Sequence, residues 1–221
     1  MSPRAALKNG STLQASTADT IMDAAERLFA EHGFAAVTVK EIAEAAGVNA
    51  ALLYYYHDSK ETLYRHVIER FVSELVRNAT AKLNAATSPE DAIRGVTQAQ
   101  FAILSAKPHL PRLVVRELVD YQAAHAVGVL REVGQTVFRR LVAVIADGQA
   151  RGVFRADLDP RFAAFSTIAQ LPYFFVARPA LGALALGASH ISDETTAAAF
   201  AKHAGDFAVD ALRAPPTSPN G

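Results

Sequence analysis

Three consecutive tyrosines, Tyr54, Tyr55 and Tyr56, are followed at once by His57 and form the sequence's densest cluster of side chains suited to binding a partner. Three successive residues cover most of the circumference of a short helix, so the three rings cannot all be buried. A tyrosine combines an apolar ring with a polar hydroxyl, and at least one hydroxyl must therefore face water or a partner. The cluster predicts a recognition surface on a helix.

Catalytic and metal chemistry have weaker support in the sequence. His57-Asp58-Ser59 contains the residue types of a catalytic triad, but neighbours in sequence do not face each other in triad geometry. The chain lacks HExxH, a Walker loop, GxSxG and GxGxxG after a strand. Glu117, Asp120 and His125 fall near one predicted inter-helix turn, which leaves a metal-dependent helical-bundle enzyme as a minor alternative. We predict no enzyme, no catalytic residue, no cofactor and no resident metal.

Composition describes a globular protein without an obvious partner. The chain has 221 residues, of which 51% are hydrophobic and 20% are charged. Cysteine is absent, which excludes a disulfide framework, thiolate zinc sites and cysteine nucleophiles. The 22 basic and 22 acidic residues cancel, so any case for DNA depends on local pattern. Without a signal peptide or an apolar run of membrane-spanning length, the sequence predicts a soluble cytoplasmic protein.

Helical periodicity predicts an all-α fold of about nine helices, because runs of alternating β-branched residues are missing. A first helix is predicted over 19–32, with Gly33 placed for a left-handed C-terminal turn. Pro172 lies inside a predicted helix and should kink or split it. Ser192-Asp193-Glu194 is predicted to cap the last helix. The polar segments 1–18 and 214–221 are predicted to be disordered tails.

Residues 38–56 have the build of a helix-turn-helix. Thr38 and Glu41 have the spacing of a capping box, and Gly47 ends the short helix that they begin. Asn49 is a good N-cap for a third helix through Tyr56. This pattern places the third helix to enter a major groove. Such helix pairs also occur in plain bundles, so an interaction module without DNA binding remains an alternative.

The run from Asp19 to Leu63 resembles the TetR family of transcriptional regulators through AERLFAEHGF, TVKEIAEAAGV and LLYYYHDSKETL, in that order. The resemblance implies a homodimer that binds a palindromic DNA operator. It also implies that a small-molecule effector of unknown identity binds the protein, and the two together favour a ligand-responsive repressor. It also implies a domain division. The predicted segments are a tail (1–18), a helix-turn-helix DNA-binding domain (19–64), an effector-binding and dimerisation domain (65–213) and a second tail (214–221).

The predicted DNA contacts lie in and beside the second and third helices. They are Thr38, Lys40, Asn49, Ala50, Ala51, Leu52, Tyr54, Tyr55, Tyr56 and Lys60. The resemblance implies that Thr38 holds a phosphate at a helix N-terminus and that Tyr56 and Lys60 reach phosphates. Asn49 offers donors to a base edge, whereas the apolar residues after it can contact a thymine methyl. His57 replaces a large apolar residue of the family, and we expect it to pack as a neutral core histidine.

The local charge of the predicted DNA-binding region limits the DNA affinity that we expect. Through residue 60 the chain has five basic and seven acidic residues, a net charge of −2. We therefore expect modest non-specific DNA affinity with a shallow salt dependence.

The apolar C-terminal half predicts a ligand cavity and a dimer interface. The candidate effector-binding residues are Phe101, Leu104, Arg112, Leu113, Arg116, Tyr121, Gln170, Tyr173 and Phe174. The four-residue spacing of Arg112 and Arg116 would suit a carboxylate or phosphate on the effector. The candidate dimer-interface residues are Phe165, Phe200, Ala204, Phe207, Ala208 and Ala211. Small residues let helices approach closely across a symmetric contact, although packing within one chain would use them equally.

Overall fold

The structure, a computed structural model, describes residues 3–183 and 194–214. These residues are almost entirely helical, and the one β-bridge among them pairs Phe154 with Arg213. The helices are α1 Pro3–His32, α2 Val39–Ala46, α3 Ala50–Tyr56, α4 Lys60–Ala85, α5 Pro89–Ala106, α6 Leu110–Asp120, α7 Val127–Val133, α8 Arg139–Ala150, α9 Pro160–Ala183 and α10 Glu194–Leu212.

The described chain divides into two compact units. Unit 1 comprises Met1–Phe71 and Arg112–Val127, and unit 2 comprises Val72–Pro111 and Gly128–Gly221. Unit 1 therefore holds the predicted helix-turn-helix together with α6 from Arg112 onward, whose residues fall within the predicted effector-binding and dimerisation domain. Within the described ranges, no helix has the length and apolar character needed to cross a bilayer.

The core of unit 1 forms where α1, α2, α3 and the start of α4 meet. Phe29, Ile42, Leu53 and Leu63 are fully buried there. The ring of Phe29 meets that of Tyr64 edge-on at 5.1 Å between centroids. Leu53 anchors α3 in this apolar centre, while Tyr54 and Tyr55 of the same helix remain exposed.

Unit 2 is built on the close packing of α10 against α5. Gly205 of α10 faces Arg94 and Thr97 of α5, and a Cβ at Gly205 would make ordinary van der Waals contact with both, 3.6 Å from the Cα of Arg94. Arg94 also donates from Nε to the Asp206 carboxylate at 2.9 Å. The end of α10 is held by backbone bonds, in which Arg155 N–H donates to Leu212 O and Ala214 N–H donates to Val153 O.

A π-helical turn, Gly134–Phe138, joins α7 to α8 without a break. Thr136 donates its hydroxyl to the carbonyl of Glu132, a local bond that competes with regular helix pairing. Counted as one helix with this turn, α7 and α8 bring the described helices to nine, as the sequence predicts.

One local prediction differs from the structure, and at Pro172 the structure excludes one of the two predicted outcomes. Helix α1 begins at Pro3, so the predicted tail 1–18 is helical over 3–18, where Ala, Leu, Lys and Gln are good helix formers. Helix α9 continues through Pro172 instead of splitting. The carbonyl that this proline leaves without its helical donor belongs to Ile168, and Gln100 Nε2 donates to it at 3.0 Å. Of the other predictions, Ser192, Asp193 and the tail residues 215–221 lie outside the described ranges.

Candidate nucleic-acid interface

The helix-turn-helix is fixed by caps at both of its joints. Thr38 begins α2 with a complete capping box, and Gly47 ends it in the left-handed conformation at φ 67°. Val48 N–H donates back to Ala43 O at 2.9 Å, which completes the tight turn. Asn49 then starts α3 by accepting the Leu52 N–H on its Oδ1 at 2.8 Å. These bonds fix the end of α2, the turn and the start of α3.

The tyrosines of α3 project outward, as predicted. The Tyr54 side chain is 51% exposed and Tyr55 is 71% exposed, while Leu53 on the same helix is fully buried. Tyr56 is half-buried, and its ring meets that of Tyr55 edge-on at 5.1 Å. The exposed face of α3 thus carries two aromatic rings with hydroxyl groups that are suited to stacking and hydrogen bonding on a polar partner.

Thr38 is hydrogen-bonded to Glu41 at the start of α2. Its hydroxyl accepts from Glu41 N–H at 3.2 Å and donates to Glu41 Oε2 at 2.8 Å. Its backbone N–H donates to the same carboxylate oxygen at 2.7 Å. The bond from the Thr38 backbone lowers the pKa of Glu41 the most, and the bond from the Thr38 hydroxyl lowers it further, so the carboxylate stays ionised. A phosphate approaching this helix end would have to displace the carboxylate of Glu41.

The first turn of α3 presents a small apolar surface. Ala50 and Ala51 are exposed and Leu52 is half-buried. Asn49 is exposed too, but its Oδ1 already serves the cap, which leaves its amide nitrogen as the donor for a base edge. Lys40 is exposed on α2 and pairs loosely with Glu44 at 3.8 Å.

Lys60 is placed differently from the sequence expectation of a phosphate contact. Its ammonium donates to the carbonyls of Phe34 at 2.9 Å and Val37 at 2.8 Å. It also lies 4.3 Å from the centre of the Phe34 ring. Lys60 therefore closes the α1–α2 turn, because two carbonyls left without helical donors lie within its reach. Its structural role is to fix the entry into α2.

His57 is buried, as expected for a core position, and its Nδ1 lies 3.1 Å from the Nδ1 of His66. Burial, followed by the neighbouring His66, lowers the pKa of His57. The ring is consequently neutral near pH 7, and the pair links the end of α3 to α4.

Two sequence models of known families match the chain. Residues 21–67 match "Bacterial regulatory proteins, tetR family", and residues 89–208 match "Tetracyclin repressor-like, C-terminal domain". The chain belongs to the TetR family. It is a DNA-binding transcriptional regulator whose helix-turn-helix coincides with the first of these matches.

Related proteins of known name share this TetR organisation. The chain is 32% identical to the HTH-type transcriptional repressor NicS of Pseudomonas putida, over 72% of this chain and 75% of NicS. It is 29% identical to the repressor KstR2 of Mycolicibacterium smegmatis, over 66% and 71% of the two chains. Its fold is also that of the ketosteroid transcriptional regulator KstR2 of Mycobacterium tuberculosis, with a TM-score of 0.71 at 18% identity, covering 90% of this chain and 95% of that one.

The nine predicted effector residues of this TetR protein are divided between the two units. Arg112, Leu113, Arg116 and Tyr121 belong to unit 1, whereas the other five belong to unit 2. Within unit 2, Leu104 and Phe174 are buried, Phe101 and Gln170 are half-buried, and Tyr173 is 74% exposed.

The two arginines of the predicted anion clamp, Arg112 and Arg116, have different surroundings. Arg116 lies over Gly33, where an added Cβ would be 2.9 Å from Nη1, and Arg112 is exposed. Gly33 adopts a left-handed conformation at φ 82°, which favours glycine. Because glycine has no side chain, the Arg116 guanidinium occupies the space that a Cβ would fill. Arg116 therefore packs on the turn after α1.

The predicted dimer residues divide into exposed and buried groups. Phe165 and Phe207 are 63% and 58% exposed, and Ala211 is exposed as well. Ala204 and Ala208 are buried within the chain by helix packing. Phe200 is half-buried and its ring stacks on Phe174 at 4.1 Å. A groove of about 510 Å³ between α9 and α10 brings residues of the effector and dimer predictions together, namely Gln170, Phe207, Ala208 and Ala211.

Sequence reasoning missed Phe162, and it named Glu117 and His125 only for a minor metal-site alternative. Phe162 is 73% exposed one turn before Phe165, and its spacing could have revealed it as part of the same face. Glu117 is fully buried, accepts the His125 N–H at 2.7 Å and lies 3.1 Å from His125 Nδ1. The two were predicted to be close, but in the described chain no group of three or more His, Asp or Glu is arranged to hold a metal.

Proposed function

We propose that this TetR-family regulator is a cytoplasmic repressor that binds a palindromic DNA operator as a homodimer and releases it when a small molecule binds to unit 2. The exposure of Tyr54 and Tyr55 on a helix anchored by buried Leu53 is the observation that carries the DNA-binding proposal. The relatives NicS and KstR2 are named as repressors, which supports repression over activation.

A homodimer would present two copies of α3 to DNA. Reading helices spaced about one turn apart, roughly 34–36 Å, match the half-sites of a palindrome. The exposed phenylalanines of α9 and α10 support self-association, because large apolar side chains in water are favourable to bury against a second copy. Effector binding would then act through its different affinities for the DNA-bound and free forms, typically worth about 1–3 kcal/mol.

A DNase footprint on the DNA upstream of the protein's own gene tests the proposal. We expect a palindromic protected site, and we expect Tyr55→Ala to weaken binding by at least about 30-fold, since each subunit loses a contact worth about 1–3 kcal/mol. Val119→Ala is the matched control, because Val119 is equally exposed, at 72%, but lies on α6. Both variants should keep the wild-type melting temperature.

Protection of the same site at the same concentration by the Tyr55→Ala variant would contradict the role of α3. The absence of any protected site would instead favour a helical interaction module.

A further inference from the structure

A small cavity lies inside unit 2 among α4, α5, the end of α7 with its π-helical turn, and α9. Its volume is about 80 Å³. Seven of its lining side chains are aliphatic, among them Ala79, Val96 and Val137, and the eighth belongs to Gln100. None of the described residues that line it is charged. Such a lining favours a neutral, mostly apolar ligand that makes one directed polar contact.

The amide of Gln100 has a fixed orientation. Pro172 has no N–H, so the carbonyl of Ile168 lacks its normal helical donor, and Gln100 Nε2 donates to it at 3.0 Å. Only the nitrogen of a side-chain amide can donate to a carbonyl, which identifies the remaining atom as the acceptor Oε1.

Gln100 Oε1 is buried and has no hydrogen-bond partner among the described residues. A buried acceptor without a donor is unfavourable, and a ligand that supplies an O–H would remove that penalty. The proline in α9 and the glutamine in α5 thus combine to offer one acceptor at an otherwise aliphatic cavity.

The same surroundings disfavour an anionic ligand here. A carboxylate in an aliphatic cavity without a cation would be desolvated and unpaired. Size also limits the choice, because an apolar cavity of about 150 Å³ in another protein holds benzene, and this one is about half as large. A short aliphatic chain fits it better than an aromatic ring.

We propose that this cavity is the effector-binding site, and that it binds the hydroxyl-bearing end of a neutral, mostly aliphatic molecule whose O–H donates to Gln100 Oε1. This inference rests on the proposed function, which requires an effector site in unit 2, and it adds the chemical class of the effector. The π-helical turn contributes Val137 to the cavity wall, and such turns occur frequently at functional sites.

Methyl NMR titration of the full-length protein, without DNA, tests the ligand class with three four-carbon probes. These are 1-butanol, 1-chlorobutane and butyrate. We expect 1-butanol to shift the methyl signals of Val96 and Val137 saturably, and to bind at least about fivefold tighter than 1-chlorobutane, the preference that one net hydrogen bond provides. Butyrate should leave these signals unchanged at the same concentrations.

Three variants locate the contact. Gln100→Leu should abolish the preference for 1-butanol, whereas Gln98→Leu, at an exposed position on the same helix, should preserve it. Ala79→Leu narrows the cavity and should weaken both neutral probes, which keeps the test decisive if Gln100→Leu fails to fold.

Equal affinity for 1-butanol and 1-chlorobutane, tighter binding of butyrate, or shifts that Ala79→Leu leaves intact would overturn the inference. A footprint on the operator without 1-butanol binding would overturn it while leaving the proposed function in place. Saturable 1-butanol binding that depends on Gln100, in a protein that protects no DNA site, would support the cavity assignment and defeat the proposed function.

Discussion

The two sets of exposed aromatic side chains in this protein differ in chemistry. On α3 the exposed rings are Tyr54 and Tyr55, each with a hydroxyl group. On α9 and α10 three phenylalanines, Phe162, Phe165 and Phe207, are more than half exposed, and Tyr173 is the one exposed tyrosine among the described residues of these helices. Both sets leave apolar area in water, but only the tyrosines can also satisfy a polar surface.

This difference indicates two kinds of partner. A DNA groove is lined by phosphates and base edges, so a ring that carries a hydroxyl can bind there without leaving polar groups unpaired. A phenylalanine face gains most by meeting another apolar protein surface, which a second copy of the chain would supply. Variants that change one face at a time should therefore have separate effects on DNA binding, self-association and stability.

The largest effect is expected for the double variant Phe165→Asp/Phe207→Asp. Burying each phenylalanine contributes about 1.5–3 kcal/mol, and each occurs twice in a symmetric interface, so dimer affinity should fall by at least about 1,000-fold. Light scattering at micromolar concentration should then return the 23.6 kDa chain mass. Val119→Asp, at an equally exposed apolar position on α6, is the control and should remain dimeric. A double variant of unchanged mass would remove α9 and α10 from the interface.

Lys60→Met should destabilise the protein by about 2 kcal/mol, because two carbonyl groups and the Phe34 ring lose their cation. Urea unfolding measures this loss. In contrast, Lys40→Met should change stability by less than about 0.5 kcal/mol, since the Lys40 ammonium is exposed. If Lys60 contacted a phosphate, its removal would lower the salt dependence of operator binding, and we expect that slope to stay at the wild-type value.

Exchanging hydroxyl groups between the two aromatic faces should have a smaller effect. Tyr55→Phe is expected to weaken operator binding by at least about fivefold, because each of the two subunits loses one hydrogen bond and keeps the ring. Phe165→Tyr should leave operator affinity unchanged at protein concentrations that keep the dimer intact. Fluorescence anisotropy with a labelled operator gives both values, and equal losses in the two variants would show that the hydroxyl on α3 has no specific role.

The smallest expected effect concerns pH. The folded state lowers the pKa of His57 from 6.5 through burial and through His66, so the unfolded chain binds the proton more readily. This contribution to stability is complete above pH 6.5 and is lost as pH falls from 6.5 through the lowered value. Replacing His57 with Phe should therefore reduce the loss of urea stability between pH 7 and pH 5.5. The same loss in variant and wild type would show that His57 does not control it.

Local sequence signals predicted the DNA-binding helices well. The caps at Thr38 and Asn49 and the stop at Gly47 lie where the residues indicate, since each depends on a few neighbouring backbone groups. The exposure of the tyrosines followed from their adjacency on a short helix. Lys60 was less predictable, because its carbonyl partners at Phe34 and Val37 lie more than twenty residues earlier.

The sequence by itself determined the helical class, the capped helix-turn-helix and the chemistry of its outward face, because each follows from residue type and short-range spacing. Only the tertiary structure decided that Arg116 packs on Gly33, that Ala204 faces its own chain, and that Gln100 completes the helix around Pro172. Those outcomes depend on which helices meet and at what distance, and a side chain acquires its partner only when distant segments are brought together.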